Sequence, residues 1–239
     1  GESVIVNAAS DPEICDFVQL LVKMGARVKG VGTRTVRIEG VDSLHGAEHT
    51  VMYDRLDAAM LMMAGAITGG DVTLKGVDLH HLEILEAKLL QMGVELDGEG
   101  DRLRVRGPET FSPINVATTY YPGFPTDLQP SITAMACVAE GDSFIRETVF
   151  EDRFGHVKNL RAFGASLSPE KDRLVIVHGP ASLKGTRVRA DDIRAGEACV
   201  LAGLIASGRT SISNLYQLDR GHAQLEERLK GLGAEIERL

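Results

Sequence analysis

Residues 82 to 107 read LEILEAKLLQMGVELDGEGDRLRVRG, and this stretch changes its period once. Leu82, Leu85, Leu89 and Met92 recur in steps of three and four, which places them on one face of a helix. Gly93 follows where a helix would end in a left-handed residue, a conformation that costs glycine little. Beyond it the pattern becomes strand-like, turns at Gly98-Glu-Gly100, and runs into a second strand over Asp101–Gly107.

The same sentence is written four times. Met24-Gly25-Ala26, Met92-Gly93-Val94, Phe163-Gly164-Ala165 and Leu232-Gly233-Ala234 carry glycines separated by 68 (25 to 93), 71 (93 to 164) and 69 (164 to 233) residues. Ile14, Phe17, Leu21 and Met24 form the first helical face, Val157, Leu160 and Phe163 the third, and Leu225, Leu229 and Leu232 the fourth. Second strands ending in Gly recur at Arg34–Gly40 and Asp172–Gly179. Asp11-Pro12 reads as an N-cap followed by proline at the first helical position.

A second set of helices, Asp54–Ile67, about Pro130–Ala139, and Ala195–Ala206, is rich in Ala, Met, Leu and Val on most faces and reads as buried. The unit is therefore strand, buried helix, strand, surface helix, strand, strand. The first copy holds only the later part of it, and the last stops after a single strand. A period near 70 residues is too long for the common solenoids. The expectation is an α+β fold of βαβαββ units around a pseudo-threefold axis, an inside-out α/β barrel with its Ala-rich helices packed together.

Composition narrows the function. With 34 acidic against 26 basic residues and a formal charge of −8, the chain lacks the basic surface that non-specific nucleic-acid binding requires. Its longest nearly apolar stretch, Ala58–Thr68, is too short to cross a bilayer. The N-terminus has no signal-peptide pattern and opens directly on strand-like residues, which suggests a chain that begins within a longer protein. Cys15, Cys137 and Cys199 are far apart and form no CxxC or Cys/His cluster, so neither a disulfide framework nor a zinc site is indicated. All three fall in expected helices and read as structural thiols. His80 and His81 are adjacent and would diverge on a helix, while His45 and His49 read as solvated linker. Gly30-Val-Gly32 and Gly98-Glu-Gly100 join strands and open no helix, unlike a dinucleotide fingerprint. There is no Walker A sequence and no GxSxG elbow.

Four segments place polar residues at the junctions between units: Tyr121-Pro-Gly-Phe-Pro-Thr-Asp-Leu-Gln129, Val149-Phe-Glu-Asp-Arg-Phe-Gly-His156, Ala190-Asp-Asp-Ile-Arg-Ala195 and Leu218-Asp-Arg-Gly-His222. With Glu147 and Thr148 they give YPGFPTDxQ, ETxFExRFxH, a DLRA-like string and LDRG. In this order they resemble the enolpyruvyl transferases, and within them the subfamily that acts on UDP-N-acetylglucosamine. His45–Leu56 is similar to that family's crossing from its first domain to its second, and the likeness covers essentially the whole chain. It implies residues 1–47 as the last, partial unit of a first domain and 48–239 as the second domain, with substrates in the cleft between.

The resemblance also implies chemistry. The enolpyruvyl group of phosphoenolpyruvate would pass to the 3′-hydroxyl of UDP-N-acetylglucosamine in the cytoplasm, the first committed step of peptidoglycan synthesis, with no cofactor, metal, membrane or nucleic-acid partner. Asp127 would be the catalytic base beside the sugar hydroxyl, although an Asp after Pro-Thr also suits a helix cap. Thr126, Val149, Phe150, Arg153, Asp192, Arg194 and Arg220 would bind substrate. The arginines would line an anionic pocket, which their forked guanidinium suits. Arg153 has an open alternative as a surface partner of Glu151 or Asp152. Asp152 and Gly155 stand where the family often has Asn and Met, changes expected to be tolerated. The family's Lys-Asn pair, its lid and a further arginine belong to a preceding half, so this chain is expected to be inactive without an N-terminal domain supplied in cis or in trans. The alternatives are a 3-phosphoshikimate enolpyruvyl transferase and a non-catalytic, truncated binding or assembly module.

Overall fold

The computed structural model describes residues 1–239, which fold as two compact units. Residues 1–54 with Tyr120–Gly123 form the first. Its strands β1 (Glu2–Val6), β2 (Arg27–Lys29) and β3 (Thr35–Glu39) make an antiparallel sheet in the order β1-β3-β2, with helix α1 (Pro12–Lys23) between β1 and β2. Pro12 occupies the first helical turn, but the Asp11 side chain does not cap it. The expected apolar face of α1 is formed, yet Ile14 and Phe17 lie exposed within this chain, as do Val4, Ile5 and Val6 of β1. His49 departs from a solvated linker: its side chain is 6% exposed and its Nε2 lies 3.1 Å from Asp16 Oδ1.

The second unit comprises residues 55–119 and 124–239. Three helices form its centre: α2 (Arg55–Ile67), then, after the surface helix α3 (Glu83–Gln91), α4 (Gln129–Ala136), and, after the second surface helix α5 (His156–Ala162), α6 (Ile193–Ile205). The three inner helices pack pairwise on one another, and all eight residues of α4 are buried. Met60, Met62, Met63, Ile132, Met135 and Leu201 lie in this core with essentially no exposure. Such all-round apolarity is what a central helix requires. At roughly 1.5–3 kcal/mol per fully buried large side chain, the core supplies most of the folding drive.

Sheets flank these helices. Strands β4 (Asp71–Lys75), β5 (Glu95–Glu99) and β6 (Arg102–Arg106) form one antiparallel sheet in the order β4-β6-β5. Strands β7 (Asn115–Ala117), β8 (Asp142–Arg146), β9 (Ser166–Glu170) and β10 (Leu174–His178) form another in the order β7-β8-β10-β9, with β7 parallel to β8. A parallel pair, β11 (Arg187–Arg189) and β12 (Ser211–Ser213), follows, and the short helices α7 (Tyr216–Asp219) and α8 (Leu225–Gly231) end the ordered elements. The run β7-α4-β8-α5-β9-β10 is one whole βαβαββ unit. No sheet closes on itself, so the inside-out barrel is one of inner helices and separate outer sheets.

The repeating glycines behave as their positions demand. Gly25, Gly93, Gly164 and Gly233 have φ of +101°, +94°, +96° and +103°, a region that penalises any side chain. The strand expected after Gly233 is absent. In the complete units that strand pairs with the one after it, and residues 234–239 pair with no strand of the structure; an unpaired strand has no ladder to hold it. No helix is long and apolar enough to cross a membrane.

Candidate active site

The second unit gathers charged side chains where α4, α6 and the segment after β8 meet. A 3₁₀ turn over Thr126–Leu128 leads into α4 and presents Asp127. The carboxylate does not cap α4, whose N-cap position is Leu128 and carries no side-chain bond. Instead Asp127 Oδ1 accepts from Arg153 Nη1 at 2.6 Å and from Arg194 Nη1 at 3.0 Å. Asp127 Oδ2 takes no hydrogen bond within the chain, and the side chain is 43% exposed. One oxygen is thus held by two guanidinium groups while the other accepts no bond from the chain.

Each arginine is set by its own local structure. Arg194 lies in the first turn of α6, where Asp192 is the N-cap: its Oδ1 accepts from the backbone N–H of Arg194 at 2.9 Å and of Ala195 at 3.0 Å. The same oxygen lies 3.5 Å from Arg194 Nε, so one carboxylate caps the helix and steadies the side chain. Arg153 pairs with neither Glu151 nor Asp152. Its side chain is only 15% exposed, and its guanidinium carbon stacks 3.8 Å from the centre of the Phe150 ring. Arg153 Nη1 also donates to Thr126 Oγ1 at 3.3 Å.

Glu147 organises this arrangement, although it reads in the sequence only as the first letter of the ETxFExRFxH string. It is 1% exposed. Its Oε1 accepts from Thr118 Oγ1 (2.8 Å) and from the backbone N–H groups of Val149 (2.8 Å) and Phe150 (3.0 Å). Its Oε2 accepts from Thr126 Oγ1 at 2.8 Å. A buried carboxylate with four donors is well compensated, and it fixes the 149–150 backbone relative to the turn that bears Asp127. The Thr126 hydroxyl proton is committed to Glu147.

Arg220 lies apart from this cluster. It ends α7, its side chain is directed to Gln217, with Nη1 3.2 Å from Oε1, and it makes no bond to Asp127, Arg153 or Arg194. Its turn is seated on α6 by close approach: a Cβ on Gly221 would lie 2.3 Å from Ile193 Cδ1, and one on Gly196 would lie 2.9 Å from Leu218. Those contacts account physically for the Leu and Gly of the LDRG string. Cys137 and Cys199 are buried and Cys15 half-buried; burial pushes the Cys137 and Cys199 thiols up to about 12.

His156, at the start of α5, is 1% exposed, and its ring has no side-chain hydrogen-bond partner, with only the Arg153 backbone in reach. Burial drives its pKa down to about 4, against opposing pulls from the Asp192 carboxylate and the Arg153 backbone. A histidine depressed on folding favours the native state fully above its unfolded value near 6.5, and loses that contribution as pH falls toward 4. The His156→Leu protein should therefore show a flatter acid limb than the parent between about pH 6.5 and 4, read from denaturant midpoints at stepped pH.

Comparison with known proteins gives this geometry a lineage. Residues 1–229 match the family described as EPSP synthase (3-phosphoshikimate 1-carboxyvinyltransferase), and the chain belongs to that enolpyruvyl transferase family. Its curated relatives carry a narrower name. UDP-N-acetylglucosamine 1-carboxyvinyltransferase 1 of Caldanaerobacter subterraneus is 49% identical over 238 residues, covering 100% of this chain and 57% of that protein. The protein named UDP-N-acetylglucosamine 1-carboxyvinyltransferase from Trichlorobacter lovleyi is 47% identical, with the same coverage of each chain. The chain therefore spans a little over half the length of these relatives. The solved enolpyruvyl transferase NikO from Streptomyces tendae superposes with a TM-score of 0.89 at 31% identity, over 99% of this chain and 56% of that one. EPSP synthase from Acinetobacter baumannii superposes at 0.76 over 99% of this chain and 58% of that one, at 23% identity, which speaks for the fold alone.

Proposed function

We propose that this chain supplies one wall of an active site that transfers the enolpyruvyl group of phosphoenolpyruvate to the 3′-hydroxyl of UDP-N-acetylglucosamine with release of phosphate, a cytoplasmic reaction of peptidoglycan synthesis. In this reading residues 1–47 are the last unit of a first domain and 48–239 the second domain. The observation that carries it is Asp127: a carboxylate gripped at one oxygen by Arg153 and Arg194 and open at the other. The identity of 45–49% to relatives named for that substrate supports the choice of acceptor.

The chemistry asks for a base, and Asp127 Oδ2 is placed to accept the proton of the sugar hydroxyl as its oxygen bonds to the central carbon of phosphoenolpyruvate. The methylene carbon gains a proton to give a tetrahedral adduct; loss of phosphate and of a proton from that carbon restores the vinyl group. Arg153 and Arg194 serve as fixed positive charge beside these anions, preorganised by Phe150 and Asp192. Val149 and Phe150, pinned by Glu147, present backbone and ring to the nucleotide sugar. Thr126 aligns Asp127 and Arg153 through its bond to Glu147. Arg220 contributes a further cation to phosphoenolpyruvate.

The test is phosphate release from phosphoenolpyruvate, with UDP-N-acetylglucosamine or 3-phosphoshikimate as acceptor. It is read for the 239-residue chain and for the same chain joined to the preceding part of a curated relative. Release from the joined protein with the nucleotide sugar alone is the expected result. A preference for 3-phosphoshikimate would reassign the acceptor, no release with either would leave a binding module, and turnover by the chain unaided would remove the need for a preceding domain.

A further inference from the structure

Beside the candidate site lies a second polar network, sharing no residue with the first, in which His222, Glu197 and Ser131 are buried and Asp57 and Arg228 partly so. His222 is at its centre, with a side chain only 2% exposed. Its Nδ1 lies 2.6 Å from Asp57 Oδ1 on α2, and its Nε2 2.9 Å from Glu197 Oε1 on α6. Glu197 Oε2 accepts from Ser131 Oγ on α4 at 3.0 Å. Asp57 is held from its other side by Arg228 of α8, whose Nη1 and Nη2 donate at 2.6 and 2.7 Å. All three inner helices and the C-terminal turn are thereby tied to one imidazole.

The spacing links this network to the candidate site. Ser131 lies one helical turn after Asp127, Glu197 one turn after Arg194, and His222 two residues after Arg220. The turns and helices that present Asp127, Arg194 and Arg220 each also send one side chain into the network, whereas the segment that bears Arg153 sends none.

The ring has two carboxylate acceptors, and only an imidazolium donates from both nitrogens. With His222 protonated, its charge and that of Arg228 balance Asp57 and Glu197. With His222 neutral, one carboxylate faces a ring lone pair and the buried group carries an uncompensated charge.

We propose that His222 is a positioning residue for the anion-binding turn that carries Arg220, holding that turn against α2 and α6 as a doubly anchored imidazolium and releasing it when the ring proton is lost. The inference deepens the reading of Arg220 as a phosphoenolpyruvate ligand and rests on it for its kinetic consequence. Burial alone would depress the ring's pKa, but its bonds to the Asp57 and Glu197 carboxylates outweigh this and carry His222 up to about 9. Burial likewise favours a protonated Asp57, and the bonds from Arg228 and His222 reverse this, keeping its carboxyl well below the usual range. Burial raises Glu197, helped by the nearby Asp127 carboxylate and only partly offset by His222 and Ser131. Because His222 is raised on folding, its contribution is complete below its unfolded value near 6.5 and is lost as pH climbs through about 9.

Two readouts separate this inference from the functional reading. In the protein joined to its preceding domain, His222→Gln should raise the KM for phosphoenolpyruvate about tenfold at neutral pH, the scale of one lost charge-assisted hydrogen bond, with kcat little changed. The parent should approach the same KM as pH passes about 9, while the variant stays level. In the 239-residue chain, backbone amides of residues 216–224 should exchange faster in His222→Gln than in the parent at one pH, with those of α4 unchanged. Unaltered exchange in that turn overturns the inference whatever the kinetics. Faster exchange with an unmoved KM and pH profile reduces His222 to a structural residue. Absence of turnover in the parent counts against the enolpyruvyl transfer reading, and the amide exchange then decides the anchoring by itself.

Discussion

Asp127→Asn is expected to lower kcat by at least ~100-fold, the usual contribution of a positioned general base, and to leave the KM for UDP-N-acetylglucosamine within a few-fold. The reasoning starts from the two ends of the carboxylate. Oδ1 is taken by Arg153 and Arg194, so an Asn oxygen at that place keeps both bonds and the local shape. Oδ2 is the open end, and there the amide substitutes a nitrogen that cannot accept a proton. Steady-state kinetics on the joined protein supply the measurement. A fall in kcat/KM through KM alone would mark Asp127 as a binding group.

The second large effect concerns stability. Glu147→Ala should destabilise the chain by about 3–5 kcal/mol, because it strands two threonine hydroxyls and two backbone N–H groups in a buried site. In a chain of this size that lowers Tm by roughly 10 °C. Glu147→Gln should cost clearly less. Its carbonyl oxygen can keep the three bonds made to Oε1, and its amide can donate to the Thr126 hydroxyl, which then turns its own proton elsewhere. Calorimetric melts of the two variants beside the parent give the comparison. Equal losses would show that the carboxylate's charge, more than its acceptor count, holds the 118–150 region together.

Much of the fold was legible because its signals are local and repeated. The 68–71-residue spacing marked the helix ends, and Gly25, Gly93, Gly164 and Gly233 all adopt positive φ. The Ala- and Met-rich segments read as buried helices, and they pack together at the centre. Local signals failed where a partner had to be supplied from elsewhere. Asp11 and Asp127 have the residue type of a cap, but neither side chain caps its helix. Asp127 is drawn instead to two arginines, 26 and 67 residues away. Residues 234–239 have a strand's pattern without a neighbouring strand.

The candidate site divides in the same way. Thr126, Asp127, Val149, Phe150, Arg153, Asp192 and Arg194 sit inside contiguous strings and were found together. Glu147 was inside such a string but not singled out, since one acidic letter does not reveal four donors. His222 closed another such string without its role being visible, and Ser131, Glu197 and Asp57 are single residues on separate elements with no string around them. One clue was present: Glu197 is a charge in the middle of an apolar helix, and a charge in such a place requires a partner.

The sequence distances in that buried network bear on how the chain is made. Asp57 is joined to His222 across 165 residues and to Arg228 across 171, so α2 leaves the ribosome long before its partners exist. Until the last helices emerge, its first turn carries an acidic side chain with neither cation to balance it. Contacts of such high sequence separation form late and slowly. The second unit can therefore gather its Ala- and Met-rich helices during synthesis, but locks them only once His222 and Arg228 have followed α2 out of the ribosome.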